Sequence, residues 1–170
     1  MSSQQTINVE IGEIVAMAGH GVLTVPHFSA GVVVVLYDIM GKLGAVAHIA
    51  LPDSTVGPPG EAAKNEDQPG KFADLAIPTL LELYRHEGGQ LANTLVRMVG
   101  GAQLFNFGGG SGNLLNVGAR NASAVKTALS RHGIAIDKEE VGGNKARSLK
   151  LDLSTGQLFV GVVGGETLTL

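Results

Sequence analysis

The chain contains five histidines and no cysteine. Without a thiol there is no disulfide, no thiolate nucleophile, no Cys-ligated zinc and no iron–sulfur cluster. The histidines His20, His27, His48, His86 and His132 show neither the His-x-x-x-His nor the His-Glu-x-x-His spacing that lets one helix face grip zinc. No metal or cofactor is therefore expected. His86 and His132 fall near the ends of expected helices, where a cation meets the negative end of the helix dipole, and that placement accounts for both. The glycine-rich stretch 106–113 fails as a dinucleotide loop. Gly108 and Gly110 are followed by Asn113 where the third glycine belongs, and no Gly-x4-Gly-Lys-Ser/Thr occurs elsewhere. The Gly-x-Ser-x-Gly elbow of a serine hydrolase is missing too.

Elements that position any remaining chemistry are legible in the hydrophobic pattern. Val32–Tyr37 is a β-branched run closed by Asp38 and reads as a strand buried on both faces. Leu43–Leu51 is a second strand, and the short Ile39–Lys42 connection makes the pair a hairpin. Leu149, Leu151 and Leu153 alternate with Lys150 and Asp152. The Ser154-Thr155-Gly156 turn follows, and then Leu158, Val160 and Val162 alternate, the clearest hairpin in the chain. Phe72, Ala76, Leu80 and Leu83 recur at helical spacing, with Pro78 expected to kink that helix or delay its start. A second helix is expected over Ala122–His132, capped by Asn121 and stopped by Gly133. Strands and helices mix without strict βαβ alternation, which favours an α+β layered domain.

Composition bounds the rest. At 170 residues the chain fits one domain, 1–170, with a core large enough to need no staples. A formal charge of −3 without a basic run argues against nucleic acid held through phosphates. With 44% hydrophobic and 16% charged residues it is not a disordered chain. Residues 14–37 lack charge, but turn residues such as Gly19, Gly21 and Pro26 interrupt them, so they read as turns plus a buried strand rather than a membrane span. Met1–Gln5 has no signal-peptide character, and a cytoplasmic location is expected. Ser54–Gly70, rich in proline and charge, reads as a long exposed loop.

Several segments, in order, resemble the CheD family of chemoreceptor glutamine deamidases. They are Leu36-Tyr37-Asp38, Gly44–His48, Leu51-Pro52-Asp53-Ser54, Pro69–Asp74, Gly100–Phe105, Asn116–Asn121, Gly142–Ser148 and the Thr155-Gly156 turn. The resemblance implies mixed β-sheets packed together with helices outside, similar to the deamidase domain of the cytotoxic necrotizing factors. It also implies hydrolysis of a receptor glutamine amide to glutamate, with a cysteine attacking the carboxamide, a histidine as base and a threonine assisting. The implied partners are chemoreceptor cytoplasmic helices and, in some members, the phosphatase CheC.

This chain departs from the pattern at the nucleophile. Counting back from Asp38, Gly31 stands at the family's cysteine position, Ala30 at the preceding serine and Val25 at the threonine. His48 stands at the histidine position. The leading expectation is a non-catalytic CheD-like protein that binds chemoreceptor helices, CheC, or both. Phe105 matches a position some members use against CheC, and His27 with Phe28 is expected to fill the mouth where a glutamine would enter. The alternative is an amide hydrolase using Ser29 or Thr24 with His48. Strand alternation would place Ser29 on the same face as position 31, and that alternative requires Ser29 Oγ within hydrogen-bond reach of the His48 ring.

Overall fold

The computed structural model describes residues 4–55, 68–104 and 116–170. The strands are β1 (Thr6–Asn8), β2 (Ile14–Ala18), β3 (Val22–Phe28), β4 (Val32–Asp38), β5 (Leu43–Ile49), β6 (Thr94–Gly100), β7 (Lys138–Val141), β8 (Arg147–Asp152), β9 (Leu158–Val162) and β10 (Thr167–Thr169). The helices are α1 (Ala73–His86) and α2 (Val117–Arg131). One sheet runs β1-β3-β8-β9-β10 and the other β2-β5-β4-β6-β7. Both are mixed: β1 pairs β3 in parallel and β6 pairs β7 in parallel, while the other pairs are antiparallel.

Alternation along the strands sorts the apolar side chains into two cores. Val33, Val35 and Val46 of the second sheet meet Leu23, Val25, Leu149, Leu151 and Val160 of the first. On the other face of the second sheet, Val32, Val34, Ala45, Ala47 and Ile49 meet Ala76, Ile77 and Leu80 of α1 and Val125 and Leu129 of α2. The layers are thus sheet, sheet, helices. The expected α+β layered architecture is the one found. Every residue of β4 and of β5 is buried, because the second sheet is covered on both sides.

The two expected hairpins form at their expected places, β4–β5 and β8–β9. Gly156, at φ +77°, sits where a Cβ would come 2.4 Å from the Tyr37 ring, so the turn is pressed onto the core. The uncharged stretch 14–37 holds more structure than expected: β2 and β3 as well as β4. No helix among the described residues is long and apolar enough to cross a membrane.

The helix expected from the 72–83 spacing forms, but its delayed start and the cap of the second helix need correction. Pro78 lies inside α1 and neither starts nor ends it. It sits on the exposed side, and the next residue, Thr79, donates its hydroxyl to the Leu75 carbonyl at 2.8 Å. The burial of Ala76, Ile77, Leu80 and Leu81 outweighs the missing proline N–H. The second helix begins earlier than expected. Asn116, not Asn121, is its cap, with Oδ1 accepting from the Ala119 N–H at 2.9 Å. Asn121 lies within α2 and is fully buried. Most of the expected 54–70 loop lies outside the described residues. Its end, Pro69–Lys71, is a 3-10 turn.

Candidate functional site

His48 is carried by β5, between β2 and β4. Its N–H donates to the Glu13 carbonyl at 3.1 Å and its carbonyl accepts from the Gly12 N–H at 2.7 Å. Opposite it on β4 stands Val33, which faces the inter-sheet core, and His48 faces that core as well. The side chain is only 5% exposed. The Phe28 ring stands edge-on to the imidazole, with centroids 5.7 Å apart and planes at 65°.

Neither ring nitrogen of His48 has a hydrogen-bond partner among the described residues. Buried polar atoms are nearly always paired, so this pair of orphans is unusual. Burial pushes the imidazole pKa below its ordinary 6.5. A polar contact with the Val9 main chain, short of hydrogen-bond geometry, works weakly against that. His48 is therefore neutral at neutral pH and presents one unprotonated nitrogen.

Gly31 lies directly beside it. A Cβ on Gly31 would sit 3.1 Å from His48 Nε2 and 3.1 Å from the Ile49 carbonyl. The position therefore faces the imidazole, and a side chain there would need the ring to give by a few tenths of an ångström. Gly31 ends a bend, Ser29–Gly31, that links β3 to β4. The bend is held by its carbonyls. Ser29 accepts from the Ala102 N–H at 2.8 Å and Gly31 from the Gly101 N–H at 3.0 Å. Ala30 accepts from Asn121 Nδ2 at 3.0 Å. Gly100 lets these backbones approach: at φ +120°, a Cβ there would stand 2.2 Å from the Gly31 carbonyl oxygen.

The structure brings Gly31, His48 and Phe28 together and leaves the other expected site residues apart. Ser29 is in the bend, not on a strand, so alternation does not carry it to the face of Gly31. Its hydroxyl makes no hydrogen bond to His48, whose nitrogens are both unpartnered. Thr24 donates its hydroxyl to Asn8 Oδ1 and lies on the face of β3 opposite Val25. Val25 projects into the inter-sheet core, the face His48 shares. His27 is exposed, but Phe28 is 4% exposed and packs inside, so only His27 is placed at a surface where a partner can touch it. Phe105 lies outside the described residues.

Asn121 is the contributor that sequence reasoning missed. Its Nδ2 donates to the Ala30 carbonyl and, at 2.9 Å, to the Ala50 carbonyl. One amide thus ties the residue before Gly31 to the strand end two residues after His48. The available signal was an asparagine on the same stripe of α2 as Val125 and Ala128, where only apolar residues are expected. No cluster of His, Cys, Asp or Glu suited to a metal occurs among the described residues.

Comparison with known proteins bears on what this arrangement belongs to. The family pattern described as CheD chemotactic sensory transduction matches residues 50–161. The chain is 38% identical over 157 residues to the chemoreceptor glutamine deamidase CheD of Thermotoga maritima, covering 92% of each protein. It is 40% identical over 131 residues to the probable chemoreceptor glutamine deamidase CheD of Desulforamulus reducens, covering 77% of this chain and 75% of that protein. A probable CheD of Clostridium botulinum is 42% identical over 131 residues, covering 77% of this chain and 76% of its own length. Likeness along most of the chain, on an α+β fold of two mixed sheets with outer helices, leads to one conclusion: the chain belongs to the CheD family.

Proposed function

We propose that this chain is a CheD-family protein that engages chemoreceptor cytoplasmic helices by binding and does not deamidate them. The carrying observation is the pairing of an orphaned, neutral His48 Nε2 with a glycine at the adjoining position 31. Nucleophilic amide hydrolysis by the route the family resemblance implies needs a thiol whose proton the imidazole takes before sulfur attacks the carboxamide carbon. Glycine has neither a nucleophile nor a proton to give. The neighbouring hydroxyls do not replace it: Thr24 is bound to Asn8, and Ser29 makes no contact with the ring through a hydrogen bond.

The test is intact mass spectrometry of a chemoreceptor cytoplasmic fragment after incubation with the protein. The wild-type chain is expected to co-elute with the fragment and leave its glutamines unconverted. Gly31→Cys is expected to convert glutamine to glutamate, once the His48 ring shifts to admit the side chain. Conversion by the wild type, lost in Ser29→Ala and in His48→Ala, would overturn the reading in favour of a serine-dependent hydrolase. CheC is the second partner implied by the resemblance. Phe105→Glu is expected to weaken CheC binding measured by calorimetry, with an unchanged thermal melt excluding misfolding.

A further inference from the structure

Among the described residues, three of the four edge strands of the two sheets are blunted. β1 and β10 are three residues long, and β7 carries Lys138, Glu139 and Glu140. β2 is the exception. It runs Ile-Val-Ala-Met-Ala over five residues, with no charge, no proline and no register shift. Sheets rarely leave an edge so bare, because its unpaired amides are a template for another strand. Ile14–Met17 are half-buried and Ala18 is exposed, whereas Ala45, Val46 and Ala47 beside them on β5 are 0% exposed. The His48 N–H donates to the Glu13 carbonyl and the Gly19 N–H to the Lys42 carbonyl. Alternation between those two bonds turns the amide groups of Val15 and Met17 to β5 and those of Ile14, Ala16 and Ala18 outward. No hydrogen bond from a described residue reaches the outward groups. Hollows open at both ends of the strand, one lined by Glu13 and Ile14, the other by Met17, Ala18 and His20.

We propose that β2 is the interface of a two-fold homodimer. It pairs antiparallel with β2 of a second copy about an axis at Ala16 and joins the two five-stranded sheets edge to edge. This inference does not depend on the function proposed above.

The edge is complementary to itself in three ways. First, an antiparallel partner centred on Ala16 lets Ile14, Ala16 and Ala18 each donate and accept across the axis, so every outward amide is satisfied. Second, the side chains fit. Ile14 faces Ala18 of the second copy and Val15 faces Met17, so no two bulky side chains are forced together. Ile14 and Ala16 pack on the helix-side core, Val15 and Met17 on the inter-sheet core, so the second copy continues both. Third, the ends of the edge differ in charge. Glu10 and Glu13 are exposed at its start, and His20 and Lys42 are exposed at its finish. Lys71 also approaches the acidic end, but its ammonium is turned over the Phe72 ring. Antiparallel pairing sets the acidic end of each copy against the basic end of the other, on both sides of the axis. Parallel pairing would set like ends together.

The experiment is sedimentation velocity of the full chain across the micromolar range. A species of twice the 17.4 kDa chain mass is expected, growing with concentration. Ala16→Pro removes an outward N–H and no bond to β5, and is expected to leave only the single chain with an unchanged circular dichroism spectrum. Glu13→Lys is expected to weaken the dimer roughly tenfold, and Glu13→Lys combined with Lys42→Glu to restore it. Because the chain has no cysteine, cross-linking reads the register directly. Two Ala16 positions on the axis stand about 5.5 Å apart between Cα atoms, inside the range of about 4.4–6.8 Å that a disulfide spans. Ala16→Cys is expected to give a cross-linked dimer on mild oxidation, whereas Ala18→Cys, more exposed but facing Ile14, is expected to remain uncross-linked. The cysteine pair decides the matter even if Ala16→Pro fails to fold. A single 17.4 kDa species at every concentration would overturn the inference, and so would a dimer that cross-links through Ala18→Cys and not through Ala16→Cys.

Discussion

The two ends of β4 carry buried polar groups on opposite terms. At the C-terminal end, Asp38 is 2% exposed and its carboxylate accepts from the N–H groups of Met40, Gly41 and Gln90 at 2.9, 2.9 and 3.0 Å. Burial alone would raise its pKa, but the N–H groups of Gly41, Gln90 and Met40 together outweigh burial and hold it below 3.8. Beside it, the Tyr37 hydroxyl donates to the Leu153 carbonyl at 2.6 Å. The Arg97 guanidinium donates to the main-chain oxygens of Leu170 and Gly156 at 2.8 and 3.0 Å. At the N-terminal end, His48 is also shut in, and its ring nitrogens have no hydrogen bond among the described residues. The first arrangement stabilises the fold by satisfying what it buries. The second leaves a polar ring unsatisfied where packing alone would favour an apolar side chain.

Substitutions at the two ends should therefore diverge. Asp38→Ala removes the buried acceptor of three part-buried hydrogen bonds and is expected to cost about 3 kcal/mol, read as a lower urea midpoint at unchanged m value. A loss under about 1 kcal/mol would break the contrast. Arg97→Met leaves two carbonyls without donors and is expected to cost about 2 kcal/mol in the same measurement. His48→Phe removes two orphaned nitrogens and keeps the volume, so stability should change by no more than about 1 kcal/mol, with a gain allowed. A loss of several kcal/mol would make His48 a structural group like Asp38.

The smallest effect is a difference in pH dependence. His48 has a folded pKa below its unfolded 6.5, so the unfolded chain takes up the proton first as pH falls. The stability that depends on a neutral imidazole is fully present above 6.5 and is lost as pH drops through that value towards the folded pKa. Between about pH 7 and pH 5 the melting temperature of the wild type should fall more than that of His48→Phe. Asp38 acts in a separate window: its contribution is present above 3.8 and is lost as pH falls below that value. Coincident curves for wild type and His48→Phe over the upper window would remove the burial argument for His48.

Much of the fold was legible before any coordinates. The β-branched run at 32–37, the alternation at 149–162 and the helical spacing at 72–83 each stand for burial against one neighbouring surface, and local pattern reports that directly. The helix limits were less legible. Asn116 and Asn121 are the same residue type five positions apart, and either caps well in isolation. Only the packing of α2 against the bend shows that Asn121 turns inward to the Ala30 and Ala50 carbonyls. Ser29 illustrates a different failure. Alternation holds only where the chain is extended, and the bend at 29–31 ends it. Phe28 is expected with His27 at the mouth of the site, but a register shift in β3 between Val25 and Phe28 re-aims the strand, and the Phe28 ring packs inside against His48.

By itself the sequence determined the class of fold, the two hairpins, the absence of a thiol and, through the order of its segments, a likeness to the CheD family. Those are properties of composition and local periodicity, which need no contact between distant residues. Tertiary structure alone decided that Gly31 faces His48 Nε2, that Phe28 walls the ring, and that Asn121 holds the peptide between Ala30 and Gly31. These groups come from a bend, two strands and a helix spread over 91 positions between Ala30 and Asn121. Their meeting is set by how two sheets and a helix layer pack, and no local pattern encodes a distance of that kind.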